Sequence, residues 1–93
     1  MKSKIQELKE CYICGRSENL HKHHIFYGTS NRKNSERTGL KVWLCYEHHN
    51  GSPAGVHFNK ELDLYLKQTA QRVYEETTGT RAEFMAIFGR NYL

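Results

Sequence analysis

The apolar residues are spaced most regularly in the last third of the chain. They recur there at helical spacing: Phe58, Leu62, Tyr65, Leu66 and Val73. This pattern predicts an amphipathic helix from Asn59 to about Thr78, and Gly79 is placed to end it. The capping-box sequence Thr80–Glu83 predicts a second, shorter helix that stops at Gly89.

The first two thirds of the chain predict two short strands. Leu20–Phe26 ends on an apolar pair, and Lys41–Cys45 (KVWLC) is of β-branched and aromatic type. Between them, Gly28–Gly39 (GTSNRKNSERTG) is polar and rich in Ser, Thr, Asn and Gly, which predicts a loop. Lys2–Glu10 can form a short helix, whereas two glycines and a proline argue against an unbroken helix across His48–His57.

The length of 93 residues allows one domain. A chain this short buries a smaller fraction of its surface than a larger domain does, so additional cross-links are common. Its three cysteines would leave one unpaired if they formed disulfides. The first ten residues are charged and lack the apolar run of a secretory signal, and no stretch approaches the roughly 18 apolar residues of a membrane span. We therefore expect a protein of the reducing cytoplasm without a membrane partner, where paired cysteines favour a metal over a disulfide.

Two metal half-sites stand 30 residues apart, Cys11-x-x-Cys14 and Cys45-x-x-His48. Each spacing places two ligands on one tight turn, and zinc prefers four sulfur and nitrogen ligands in a closed tetrahedron. The pattern predicts a structural Zn²⁺ whose binding energy contributes to folding and whose coordination leaves no position for substrate. The less favoured alternative is three ordinary buried thiols and a surface histidine.

Five histidines remain after the zinc takes its ligand: His21, His23, His24, His49 and His57. Histidine is the commonest metal ligand, and its pKa suits proton transfer near neutral pH. Because the zinc holds its two half-sites together, the strand after the first and the turn after the second should lie close. This brings His23, His24 and His49 into one neighbourhood, and His57, at the start of the long helix, can reach the same place. We expect His21 to be a surface or phosphate-contacting side chain.

The order of these motifs resembles the HNH endonuclease superfamily. The pattern CYIC-G…LHKHHIF…VWLC-YEHHN is similar to the zinc-containing branch of that family, which includes small phage-type proteins. The ββα-metal (His-Me finger) fold of the family is two strands and a helix around one catalytic metal. The resemblance implies an α+β fold with one domain over 1–93, in which 11–60 form a zinc-stabilised HNH core and 59–93 form additional C-terminal helices packed on it.

The resemblance also implies a role for each histidine in phosphodiester hydrolysis. Carried over by position, His24 is the general base, while His23, in a slot often held by Asp, and His49 bind the catalytic metal. His57 is the candidate for the last ligand, although it lies eight residues beyond His49 and the family uses one-turn spacing. The metal polarises the scissile phosphate and stabilises the departing 3′ oxygen. Oxygen-rich sites select magnesium, whereas a site with three imidazoles tolerates manganese, nickel or zinc. We therefore expect either Mg²⁺ or Mn²⁺ as the catalytic metal.

The asparagine in the middle of the family's motif has no counterpart directly before the second strand, where Gly39 and Leu40 stand. Three residues are candidates for its role of positioning the general base: Asn31, Asn34 and Asn50. The sequence does not decide among them.

The positive charge is concentrated in the half of the chain that carries these motifs. Residues 1–50 have nine Lys and Arg against five Glu, whereas residues 51–93 have five basic and five acidic residues. The predicted loop and the start of the second strand contribute four of the basic residues: Arg32, Lys33, Arg37 and Lys41. We expect these side chains to hold DNA phosphates without reading bases, which predicts weak sequence specificity and an affinity that falls steeply with salt.

The interpretation we favour is a metal-dependent DNA endonuclease. The runner-up is a non-catalytic zinc-stabilised DNA-binding or recombination/packaging accessory module, which leaves three histidines without a role. A third is a protein-interaction zinc domain that docks through its C-terminal helices. The phage-type resemblance implies partners in packaging or recombination and the cytoplasm of a bacterial host. A homodimer, which would decide between nicking and double-strand cleavage, stays open.

Overall fold

Two antiparallel strands and four helices build the fold, which a computed structural model describes for all 93 residues. The elements in chain order are β1 (Leu20–His24), α1 (Thr29–Thr38), β2 (Lys41–Cys45), α2 (Tyr46–His49), α3 (Lys60–Thr77) and α4 (Arg81–Phe88). In the sheet, Leu20 of β1 lies opposite Cys45 of β2, and His24 lies opposite Lys41. The predicted α+β class and both predicted strands are confirmed, with β1 ending two residues before the predicted end.

The hydrophobic core joins the sheet to the C-terminal helices. Buried residues of β2, α3 and α4 form one apolar cluster with the residues that follow β1. Phe26 connects these parts, because its ring centroid lies 5.3 Å from that of Phe84 and 4.4 Å from that of Phe88. Burying an aromatic side chain of this size stabilises the fold by about 1.5–3 kcal/mol. Phe84 and Phe88 of α4 therefore belong to the core.

Both C-terminal helices begin and end where the sequence predicts. The Asn59 side chain caps α3 by accepting a hydrogen bond from the backbone N–H of Leu62 at 3.1 Å. Thr80 and Glu83 form the complete capping box of α4, and Gly89 ends that helix with a positive φ of 90°. No helix in the structure is both long enough and apolar enough to cross a bilayer.

The predicted helix over Lys2–Glu10 is not formed. This segment instead lies along the free edge of β2, where the Gln6 side chain accepts a hydrogen bond from the backbone N–H of Trp43 at 2.8 Å. Ser3 donates its hydroxyl proton to the carbonyl of Lys41. The prediction was wrong because covering an exposed strand edge stabilises this segment more than an isolated helical turn would.

The predicted loop over Gly28–Gly39 is the helix α1. Its only buried side chain is Ser35, whose hydroxyl donates to the carbonyl of Phe26 at 2.8 Å and accepts from the N–H of the same residue at 3.0 Å. Gly39, with a φ of 76°, ends the helix in the left-handed conformation. Tertiary contacts at Ser35 therefore stabilise a helix that its polar composition does not indicate.

Candidate metal centres and the histidine cleft

Cys11, Cys14, Cys45 and His48 form a Cys₃His group whose ligand atoms lie within 4.8 Å of one another. The Sγ atoms of Cys14 and Cys45 are 3.8 Å apart, and His48 Nδ1 lies 3.8 Å from Cys11 Sγ and 3.3 Å from Cys45 Sγ. Tetrahedral zinc, with bonds of about 2.3 Å to sulfur and about 2.0 Å to nitrogen, requires about 3.8 Å between sulfurs and about 3.5 Å between sulfur and nitrogen. The group is near enough to bind a metal such as zinc.

The local backbone prepares this group for a metal. The first two cysteines lie on a turn that is closed by a hydrogen bond from the N–H of Gly15 to the carbonyl of Cys11 at 2.8 Å, and Gly15 has a positive φ of 77°. Burial raises the pKa of the Cys11 thiol, but hydrogen bonds to the sulfur from the backbone N–H groups of Cys45, Cys14 and Ile13 outweigh it and lower the pKa to about 6. The thiolate, which is the form that binds metal, is thereby favoured at neutral pH.

His23, His49 and His57 form a second group whose ligand atoms also lie within 4.8 Å of one another. The Nε2 atoms of His49 and His57 are 3.4 Å apart, close to the roughly 3.3 Å that a tetrahedral metal bound at about 2.0 Å imposes on two nitrogens. His23 Nε2 is buried and has no hydrogen-bond partner. Since buried polar atoms are almost always paired, this unpaired nitrogen is suited to bind a metal ion.

The electrostatics of this group favour the neutral rings that a metal needs. Burial, followed by the charges of His49, His57, His24 and Lys67, lowers the pKa of His23 to about 3. Burial and the neighbouring His57 and His21 lower the pKa of His49 to about 4. Both imidazoles therefore keep a lone pair free at neutral pH.

Three separate elements deliver these histidines. His23 lies on β1, and His49 is the last residue of α2, one position after the zinc-type ligand His48. His57 reaches the group because residues 50–58 fold back: the N–H of the buried Val56 donates to the carbonyl of His48 at 2.8 Å. The structure thus brings His57 beside His49 in spite of their spacing.

His24 lies on the neighbouring wall and is held differently. Its Nε2 is 2.8 Å from Oε1 of Glu36, a residue of α1, and 18% of its side chain is exposed. One cleft of about 300 Å³ is lined by His24 and by all three members of the histidine group, together with Lys22, Tyr27 and Arg32. The candidate base and the candidate metal ligands therefore face one space.

No protein-family model, curated protein or solved structure matches this chain. The chemistry of the cleft consequently follows from its own residues: three imidazoles able to hold a metal, a fourth imidazole held by a carboxylate, and two basic side chains, Lys22 and Arg32.

The predicted DNA-contacting residues separate into two kinds. Arg32, Lys33 and Arg37 are exposed on α1, and Arg32 also lines the histidine cleft. Lys41 is only 3% exposed, and its ammonium group is bound to the carboxylate of Glu36. Lys41 therefore does not belong to the exposed basic face, because its strand position turns the side chain under α1.

Sequence reasoning missed two residues of the site. His21 Nδ1 lies 2.9 Å from His49 Nδ1, so this residue contacts the histidine group instead of standing apart as a surface side chain. Its position two residues before His23 on a strand places both on one face, and this signal was available in the sequence. Glu36 gave no signal, because its segment was predicted to be a loop. None of the candidate asparagines hydrogen-bonds to His24, whose one partner is Glu36.

Proposed function

We propose that this chain is a metal-dependent DNA endonuclease of the HNH type, with β1, β2 and α2 as its ββα-metal unit. The observation that carries the proposal is the shared cleft, in which three imidazoles suited to a metal face a fourth imidazole held by a carboxylate. A DNA-binding module requires neither feature, whereas metal-assisted hydrolysis of a phosphodiester uses a Lewis acid together with a base.

The residues of the cleft divide the reaction between them. A divalent ion held by His23, His49 and His57 would supply Lewis-acid stabilisation of the phosphate and of the departing 3′ oxygen. His24 takes the proton of the attacking water as general base. Water adds to phosphorus while the bond to the 3′ oxygen breaks, and the departing oxygen takes a proton from solvent water, which leaves a 5′-phosphate and a 3′-hydroxyl.

The donor set narrows the choice of ion. All three ligand atoms of the group are imidazole nitrogens, and no carboxylate belongs to it. Oxygen-rich sites select magnesium, whereas imidazole favours transition-metal ions. Of the two ions that we expect from the sequence, Mn²⁺ therefore fits this site better than Mg²⁺.

The Cys₃His group supports the cleft as a structural Zn²⁺ site. Its ligand His48 directly precedes His49, and its ligand Cys45 ends β2. Bound by these four residues, a zinc ion would fix the turn that carries His49 against the start of the chain. The four protein ligands would leave no position for substrate, so the ion would take no part in the reaction.

The DNA backbone is held by α1. Arg32, Lys33 and Arg37 are exposed on this helix, and Arg32 reaches from it to the wall of the cleft. Side chains of this type bind phosphates and give no base readout, so cleavage has weak sequence preference and is suppressed by salt. The phage-type setting, with packaging or recombination partners in a bacterial cytoplasm, rests on the resemblance of the motifs alone.

Relaxation of supercoiled plasmid tests the proposal. We expect cleavage by the wild-type chain only when Mn²⁺ or Mg²⁺ is added, and its loss in His57→Ala. Phe58→Ala is a matched control, since this neighbouring side chain is 60% exposed and belongs to neither group. A wild-type chain that binds DNA but shows no metal-dependent cleavage would instead be a zinc-stabilised DNA-binding or accessory module.

A further inference from the structure

Glu36 joins three elements at the edge of the cleft. Its Oε1 accepts a hydrogen bond from His24 Nε2 at 2.8 Å, and its Oε2 binds the ammonium group of Lys41. His24 and Lys41 are opposite each other in the register of the sheet. Glu36 therefore bridges a cross-strand pair from above, while Lys22 Nζ lies 3.4 Å from Oε1 on the outer side.

The chemistry of these groups decides where the proton lies. Hydrogen bonds from Lys41 and His24 lower the pKa of Glu36 to about 2, so the carboxylate is ionised at neutral pH. An ionised carboxylate can only accept hydrogen bonds, so the proton shared with His24 lies on Nε2. In the neutral ring, the lone pair that can act as a base is then on Nδ1.

The ion pair with Lys41 also restricts the carboxylate itself. Lys41 is almost completely buried, and its ammonium group also lies 3.5 Å from the backbone carbonyl of Glu36. The buried ammonium group of Lys41 would be costly without a partner, so its ion pair with Glu36 holds the Glu36 side chain in this position. A fixed carboxylate in turn fixes the plane of the imidazole that donates to it.

We propose that Glu36 is a positioning residue that holds the ring of His24 and its Nε2–H tautomer, so that Nδ1 serves as the base. This inference rests on the proposed function of His24. It assigns to a helix carboxylate the positioning role for which the sequence suggested only asparagines, none of which contacts His24.

Two variants of Glu36 test the proposal. Glu36→Gln keeps the size of the side chain and one oxygen for Lys41, but it adds an N–H₂ donor that can pair with an unprotonated Nε2. Glu36→Ala removes the contact entirely. Glu75→Gln is the matched control. Like Glu36, Glu75 is a helix carboxylate in an ion pair, but it lies on α3 and its partner is Arg81. If Glu36→Ala does not fold, the Glu36→Gln variant alone tests the positioning role.

The first readout is the tautomer of His24, measured by long-range ¹H–¹⁵N NMR on the chain without DNA. We expect the Nε2–H form to dominate in the wild type and in Glu75→Gln, and to lose its dominance in both Glu36 variants. A wild-type ring protonated on Nδ1, or a tautomer unchanged in Glu36→Gln, would overturn the proposal.

The second readout is steady-state cleavage. We expect Glu36→Gln to lower kcat about 10- to 100-fold and to leave KM unchanged, because the orientation of the base matters only in the reaction step. If the chain cuts no DNA but the tautomer depends on Glu36, the nuclease proposal fails and the positioning contact stands. If it cuts DNA with the same kcat in Glu36→Gln, the positioning role is wrong and the nuclease proposal stands.

Discussion

Cys14→Ser separates the loss of a zinc ligand from the loss of core packing. Cys14 is exposed, whereas Cys11 and Cys45 are buried. At an exposed position without a special role, the exchange of sulfur for oxygen would change the stability by no more than about 0.5 kcal/mol. If Cys14 binds zinc, the same exchange weakens a cross-link between the start and the middle of the chain.

The size of that cross-link follows from the length of chain that it closes. Cys14 and Cys45 are 31 positions apart. The chain-entropy relation for a cross-link of this span gives about 4 kcal/mol. A domain of this size has a total stability of about 5–14 kcal/mol, so the loss is a large fraction of it. We expect the melting temperature of Cys14→Ser to fall by about 20 °C.

The assay combines circular-dichroism melting with zinc analysis of the purified protein by mass spectrometry. Ser17→Ala is the control, since Ser17 is exposed on the segment that follows the first half-site. We expect about one zinc per chain in the wild type and in the control, and less than half of that in Cys14→Ser in the presence of a chelator. A zinc-free wild type, or a Cys14→Ser variant whose melting temperature falls by less than about 3 °C, would refute the zinc assignment.

Three further predictions concern the histidine group and a helix cap. His21→Phe removes one of the two side chains within hydrogen-bond distance of His49 Nδ1, the other being Asn50. Titration calorimetry should then show Mn²⁺ affinity about 10- to 100-fold weaker with zinc content unchanged; equal affinity would show that the contact with His21 does not support metal binding. Because the pKa of His23 is lowered to about 3, the unfolded chain binds a proton near pH 6.5 that the folded chain without a metal in this group does not. Stability should then decrease as the pH falls from 7.5 to 5.5, and a His23→Phe variant with the same slope of melting temperature against pH would contradict this. Thr80→Ala breaks the capping box and should cost about 1 kcal/mol in urea unfolding, whereas an unchanged midpoint would show that the cap contributes nothing.

The parts of the fold that were predictable are those specified by short-range spacing. The Cys-x-x-Cys and Cys-x-x-His pairs place ligands on single turns whatever the rest of the chain does. The capping signals at Asn59 and Thr80 likewise depend only on the residues of the first helical turn, and both caps are present.

The parts that were not predictable depend on long-range contacts. The helix α1 has no apolar stripe, and one buried hydroxyl, that of Ser35, ties it to the residue after β1. Glu36 lies on this helix, and its role was not predicted because the segment was predicted to be a loop. That His57 can reach the other histidines was expected from the sequence, but the backbone hydrogen bond from Val56 to His48 that brings it beside His49 was not.

The most direct measurement of the central claim is the rate of Mn²⁺-dependent plasmid nicking by His24→Ala relative to the wild type. Zinc content and Mn²⁺ affinity are measured on both proteins, because His24 belongs to neither group of metal ligands. Loss of a general base predicts a rate lower by about 10²- to 10⁴-fold with both metal sites intact. Nicking by His24→Ala at the wild-type rate would contradict the account.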